Sequence, residues 1–250
     1  LINKNLGVQA YGSIIALFSI LALFTGFVTS NNQSGVAKYV AISLYEKNQN
    51  KLNHIVIFGF LIDILSVIVF VFLVFALKFL FPHLAKTFFL YSSFFSIVLI
   101  SYSIKLLTSS LRGVLSGFES FKLISLVSII GLATKLLVVY LRINSGLENV
   151  LLGYLICDAI IFIPFVLFAF SKIKFKNFRY EYSFLEKYFH FLKLSFISTS
   201  IKSITAKLDI LILNYFTNSL IVGQYETIKK LFMPINFIAP SLSKIIFPKF

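Results

Sequence analysis

This sequence predicts an all-α, polytopic membrane fold, on three observations. Of 250 residues, 58% are hydrophobic and 13% charged, against the roughly 25% charged residues of soluble domains. Mean hydropathy is +0.93. Apolar runs of about 20 residues recur along the chain, the length a helix needs to cross the hydrocarbon core. In lipid only helices and closed barrels satisfy every backbone group, and continuous rather than alternating runs select helices.

Taken in order, the runs predict seven spans, at 12–29, 55–80, 88–111, 123–142, 149–171, 189–215 and 220–247. Short polar stretches punctuate them: "PHLAKT" at 82–87, "INSGLEN" at 143–149 and "TNSLIVG" at 217–223. Two connections are longer and basic. Residues 30–54 contain "AKYVAISLYEKNQNKLNH", which predicts an amphipathic helix lying in the membrane interface. Residues 172–188, "KIKFKNFRYEYSFLEKY", form the most basic segment. Pro164, Pro234 and Pro240 fall inside spans, where each removes a backbone hydrogen bond and permits a bend.

The net charge of +14 does not predict nucleic acid as a partner, because no basic cluster forms a soluble face. The cations instead fall in loops and follow the positive-inside rule. Ten lie in 30–54, 112–122 and 172–188: Lys38, Lys47, Lys51, Arg112, Lys122, Lys172, Lys174, Lys176, Arg179 and Lys187. The other side holds four, Lys4, Lys78, Lys86 and Arg142. That asymmetry predicts cytoplasmic basic loops and residue 1 outside, so that a further span is expected upstream and the chain reads as a fragment. Its single cysteine, Cys157, excludes an internal disulfide.

An internal repeat points the same way. "LGVQAYGSIIALF" (6–18) and "LIVGQYETIKKLF" (220–232) align without gaps, matching Leu6/Leu220, Val8/Val222, Tyr11/Tyr225, Ile14/Ile228, Leu17/Leu231 and Phe18/Phe232. Two repeated halves would start the second half at 189–215 and leave on the order of 150–200 further residues beyond the C-terminus. Repeat-built bundles of this kind are typical of transporters.

Polar residues inside the spans carry the chemistry. Wound at 3.6 residues per turn, 189–215 places Ser195, Ser198, Thr199, Lys202, Thr205 and Asp209 in one stripe, with Lys207 near Ser200 and Ser203. Ser101, Lys105, Thr108, Ser109 and Arg112 form a second stripe, and Ser128, Gly131 and Lys135 a third. Asp63 and Asp158 are acids within the second and fifth spans. A charge at mid-bilayer costs roughly 2.5–3.5 kcal/mol on insertion scales, so such residues mark pairs or polar cavities. Lys105, Arg112 and Lys244 lie near an end and can snorkel; Lys135, Lys202, Asp158 and Asp209 lie deep. Ion pairs that hold helices together are one reading. The other is a cationic cavity between helical halves that takes an anion, with phosphate the natural candidate among membrane substrates, and with Asp63, Asp158 and Asp209 as candidates for ion coupling.

Catalytic signatures are missing. There is no G-x-x-x-x-G-K-[ST], G-x-S-x-G or H-E-x-x-H, and His54, His83 and His190 lack metal-ligand spacing. The sequence therefore predicts a non-enzyme with no catalytic residues, no metal and no cofactor.

Three stretches carry a family likeness. "LGVQAYGSIIALFSILALFTGF…VAKYVA", "LRGVLSGFESFKLISLVSII" and "AKLDILILNYFTNSLIVGQYETIKKLF…FP" resemble the second span with its following inner helix, the connection between the fourth and fifth spans, and the seventh and eighth spans of O-antigen-type polysaccharide flippases. These are membrane proteins of the multidrug/oligosaccharidyl-lipid/polysaccharide exporter superfamily. The resemblance implies a MATE-like, two-lobe inverted-V transporter. Residues 1–171 would form a first lobe lacking its first helix, 172–188 a basic cytoplasmic linker, and 189–250 the start of the second lobe. It further implies translocation of polyprenyl-diphosphate-linked oligosaccharide, an O-antigen or other surface-polysaccharide repeat unit, across a bacterial inner membrane. Lys105, Arg112, Lys135, Lys202 and Lys207 would be the cations of its cavity. Expected partners are the lipid-linked oligosaccharide, membrane lipid and other glycan-assembly proteins. The alternatives are a small-molecule or drug exporter of the same superfamily, a lipid II-type flippase, and a non-transporting scaffold of a glycan-assembly complex.

Overall fold

The computed structural model describes residues 7–29, 31–80, 92–142, 146–173 and 182–232. All regular structure among them is helical: α1 (Val8–Val28), α2 (Asn32–Tyr45), α3 (Gln49–Leu80), α4 (Ser92–Gly117), α5 (Phe121–Arg142), α6 (Leu147–Ser171), α7 (Tyr182–Phe216) and α8 (Ser219–Phe232). Five of these, α1, α3, α4, α5 and α6, are long and apolar enough to cross a membrane. The chain is thus built as a helical membrane protein. Helix α7 is longer than any of the five, but its lysines, serines and threonines leave it outside that apolar set, unlike the span expected at 189–215. Helix α8 is described to Phe232; Pro234, Pro240, Lys244 and the rest of the span expected at 220–247 lie outside the described residues, as do Lys4, Lys86, Lys174, Lys176 and Arg179.

Two units divide the chain: 21–206, and 1–20 with 207–250. In the larger, α4 is central and packs on α2, α3, α5 and α6, with α5 and α6 also paired. Its core unites Val36, Tyr39 and Val40 of α2, Leu52, Ile55 and Val56 of α3, Leu111, Val114 and Leu115 of α4, Phe165 and Ala169 of α6, and Tyr188 and Leu192 of α7. Among the described residues, Lys51, Arg112, Lys172 and Lys187 are next to these core residues in sequence and therefore gather at one end of this unit. The outward faces are apolar, as lipid requires: on α5, Leu126, Ile129, Leu132, Leu136 and Tyr140 are all exposed.

Helix α2 departs from expectation. It does not lie across the bundle end but runs antiparallel along the first half of α3. Asn32 reaches Gly59 and Asp63, and Val36 meets Gly59. Glycine makes this possible. A Cβ on Gly113 would lie 2.5 Å from the Gln33 carbonyl oxygen, and one on Gly117 would lie 2.6 Å from Val40 Cβ. The stretch from Arg112 to Gly117, expected as a connection, is thus the last helical turns of α4, and its glycines are the groove in which α2 lies. The true turn is Phe118–Ser120. There Glu119 takes a left-handed conformation (φ 55°) and Ser120 N–H donates to Leu115 O at 2.9 Å, closing α4 as a Schellman motif.

In the smaller unit, α1 and α8 cross through glycine. A Cβ on Gly12 would collide with the Ser219 carbonyl, and one on Gly223 with the Val8 carbonyl. Tyr11, Ile15, Ile210 and Val222 form its core. The two copies of the sequence repeat therefore pack directly against each other.

A cationic cavity beside helix α4

Within the larger unit a cavity of about 440 Å³ opens beside α4, inside the ~300–1,000 Å³ range of ligand sites. One wall is the stripe that the sequence places on a single helical face: Lys105, Thr108, Ser109 and Arg112, with Tyr102 and Leu106. Helix α1 adds Thr25, the residue just after that helix is Thr29, α2 adds Gln33, and α6 adds Asp158 and Ile161. Two cations therefore face one carboxylate.

Each charge has a distinct setting. Asp158, largely buried, accepts a hydrogen bond from Ser101 Oγ and lies 3.5 Å from Lys105 Nζ. Lys105 is half-exposed and also sits 4.8 Å from the centre of the Tyr102 ring. Arg112 is two helical turns further along α4, about 10 Å at 1.5 Å per residue. Its guanidinium packs 5.7 Å from the Phe165 ring centre, and its Nε is buried without an acceptor among the described residues. A buried donor left unmet costs roughly 1–3 kcal/mol, more for a charged group. The hydroxyls of Thr25, Thr29 and Thr108 donate to Ala22 O, Thr25 O and Ile104 O.

The other expected cavity cations do not line this site. Lys135 of α5 lies with its Nζ 3.7 Å from the centre of the Tyr154 ring of α6, a cation–π contact that accounts for its depth. Lys202 is exposed on α7 and Lys207 is half-buried in the smaller unit. The packed face of α7 differs from the expected stripe as well. Ser200 is buried and Ser203 abuts Gly26 of α1, whereas Ser198, Lys202 and Thr205 are exposed. Periodicity groups residues by face, but which face meets protein is decided by close approach, and there the small Ser203 and Gly26 prevail.

The acids divide as well. Asp63 is buried and held by neutral donors: Asn32 Nδ2 at 2.6 Å and the Ser110 backbone N–H at 2.7 Å, while Tyr188 OH donates to Asn32 Oδ1. Asp209, in the smaller unit, accepts from Lys229 Nζ at 2.5 Å and Tyr225 OH at 2.7 Å. Nearby, Lys230 Nζ donates to Tyr11 OH at 2.5 Å and lies 4.0 Å from Glu226. Sequence singles out Asp209 of this cluster but not Lys229 and Lys230, because their partners Asp209 and Tyr11 lie 20 and 219 residues away. It also passed over Thr25 and Thr29, although their i, i+4 spacing in an apolar helix was a visible signal. Among the described residues no group of three or more His, Cys, Asp or Glu could hold a metal ion.

No family model, curated protein or solved structure matches this chain.

Proposed function

We propose that this protein is a flippase whose cavity beside α4 receives the phosphate-bearing head of a polyprenyl-diphosphate-linked oligosaccharide, an O-antigen or other surface-polysaccharide repeat unit. The observation that carries the reading is that two cations, Lys105 and Arg112, line one cavity with a single carboxylate, Asp158. Arginine presents a planar fork of donors that matches phosphate oxygens. In a lipid setting, where an unpaired cation is costly, an arriving anion supplies what the fork lacks. The likeness of three sequence stretches to polysaccharide flippases, and the repeat at 6–18 and 220–232, support the same reading. The protein would be a transporter rather than an enzyme, in a bacterial inner membrane with its basic loops cytoplasmic, served by glycan-assembly proteins that deliver the finished unit.

The cavity has room for a diphosphate and the sugar next to it, not for a whole oligosaccharide, so the head group is the element recognised. Deleting the gene and determining which leaflet holds the lipid-linked glycans tests the proposal. Completed units accumulate on the cytoplasmic face in the deletion strain. Arg112→Gln, expressed to the same level, leaves them there, whereas the wild-type gene clears them. An unchanged distribution would instead favour a small-molecule exporter, and failure to make the units at all would favour a scaffold.

A further inference from the structure

From the contacts around Lys105, we infer that Asp158 is a built-in competitor for the ligand's anion: it neutralises Lys105 in the empty cavity and yields that lysine to a ligand phosphate. This inference rests on the reading of the cavity as an anion site. Three observations carry it. Asp158 comes from α6 while both cations come from α4, so the carboxylate can separate from Lys105 without disturbing the spacing of the cations. Its link to Lys105 is loose, 3.5 Å against a half-exposed lysine, and a neutral hydroxyl, Ser101 Oγ, shares its charge. Arg112, by contrast, has no carboxylate beside it among the described residues, and its Nε has no acceptor.

The two cations therefore differ in availability. Arg112 lines the cavity with no carboxylate beside it to compete for the first phosphate oxygen. Lys105 is released only if the incoming anion outcompetes a carboxylate already in place. A phosphate group with two charges to distribute can do so, and a singly charged carboxylate gains nothing by the exchange. When the ligand leaves, Asp158 returns and neutralises Lys105, so the cavity does not hold an unpaired ammonium in the membrane. A site designed for maximal affinity would omit this acid. A site that must bind and release on each cycle benefits from it, because ligand affinity beyond what capture requires slows departure.

The test is a titration of the intact, detergent-purified protein with farnesyl diphosphate, inorganic pyrophosphate and, as the uncharged control, farnesol. Asp158→Asn keeps the side-chain size and removes the competitor, so both anions bind tighter by about threefold to tenfold, and farnesol is unaffected. Ser101→Ala alters no charge but leaves the Asp158 carboxylate to Lys105 alone, so both anions bind somewhat more weakly. In a Lys105→Gln background the Asp158→Asn effect disappears, a coupling that a merely structural acid would not show. In cells, Asp158→Asn lowers flux despite tighter binding. A preference of the wild type for farnesyl diphosphate over pyrophosphate identifies a lipid-borne rather than a free anion. If the wild type binds both anions and Asp158→Asn does not tighten them, the competitor role is overturned and the anion site stands. If no protein binds either anion, the anion site itself is overturned and the inference falls with it.

Discussion

Two aspartates of the larger unit show how differently a buried acid can be used. Asp158 faces a cavity and a movable cation, whereas Asp63 is sealed among neutral donors on α2 and α4. The Ser110 N–H that it accepts belongs to the middle of α4, where a backbone donor ordinarily serves only the carbonyl four residues earlier. Asn32, fixed by Tyr188, divides its amide between Asp63 and Gly59 O at 2.8 Å. Three helices thus meet at one carboxylate, and α7 joins them through Asn32. Asp63→Ala strips the acceptor from two buried donors at once, and we expect a loss of about 2–4 kcal/mol. Cys157 offers the readout. It is the only cysteine of the chain, is buried, and donates from Sγ to Gly131 O at 2.7 Å. A thiol-reactive dye added to the detergent-purified protein therefore reports unfolding on heating. A midpoint equal to wild type would mean that the network contributes nothing to stability.

At the scale of elements, the α2–α4 contact depends on the absence of side chains. Gly113→Ala introduces a Cβ 2.5 Å from Gln33 O and 2.9 Å from Val36 Cβ. The first neighbour is backbone and cannot rotate away, so the helices must separate, at about 1–3 kcal/mol. The same dye assay checks this, and Gln33 leaves the cavity wall as α2 shifts, so anion binding weakens as well. Such contacts also explain what could be read from sequence. Helical class, five of the membrane-spanning helices and the Lys105–Arg112 stripe follow from composition and period, because a 3.6-residue repeat depends only on the chain's own winding. The packing of α2 does not, because Gly113 and Gly117 fit a turn as readily as a groove until their neighbour is known. Lys135 was legible as a deep cation, yet its partner Tyr154 lies on another helix, and no local pattern joins the two. Nor could the sequence tell which face of α7 is buried, since Ser200 and Ser203 are as polar as Ser198 and Thr205.

For the molecule as a whole, the decisive property is which end carries the positive charge. In the larger unit α3 leads away from the shared core at Leu52–Val56, α4 returns to it at Leu111–Leu115, α5 leads away from Val127, and α6 returns at Phe165–Ala169. The turn holding Lys47 and the turn holding Glu119 lie at that core end, both residues in left-handed backbone that closes a helix, while Glu148, at the start of α6, lies at the far end. The positive-inside rule predicts that this core end faces the cytoplasm. Under the proposed flippase function this orientation would set the direction of transport, because Arg112 lies within two turns of the core end of α4 and its cavity would load from the leaflet where lipid-linked units are assembled. Single cysteines in a Cys157→Ser background test it. With a membrane-impermeant maleimide on intact cells, Glu148→Cys is labelled, while Lys47→Cys and Glu119→Cys react only after the membrane is opened. Labelling of Lys47→Cys and Glu119→Cys from outside, with Glu148→Cys protected, would invert the protein and place Arg112 on the receiving side. The cavity beside α4 would then be a release site, and the tight binding expected of Asp158→Asn would trap the unit after crossing rather than before it.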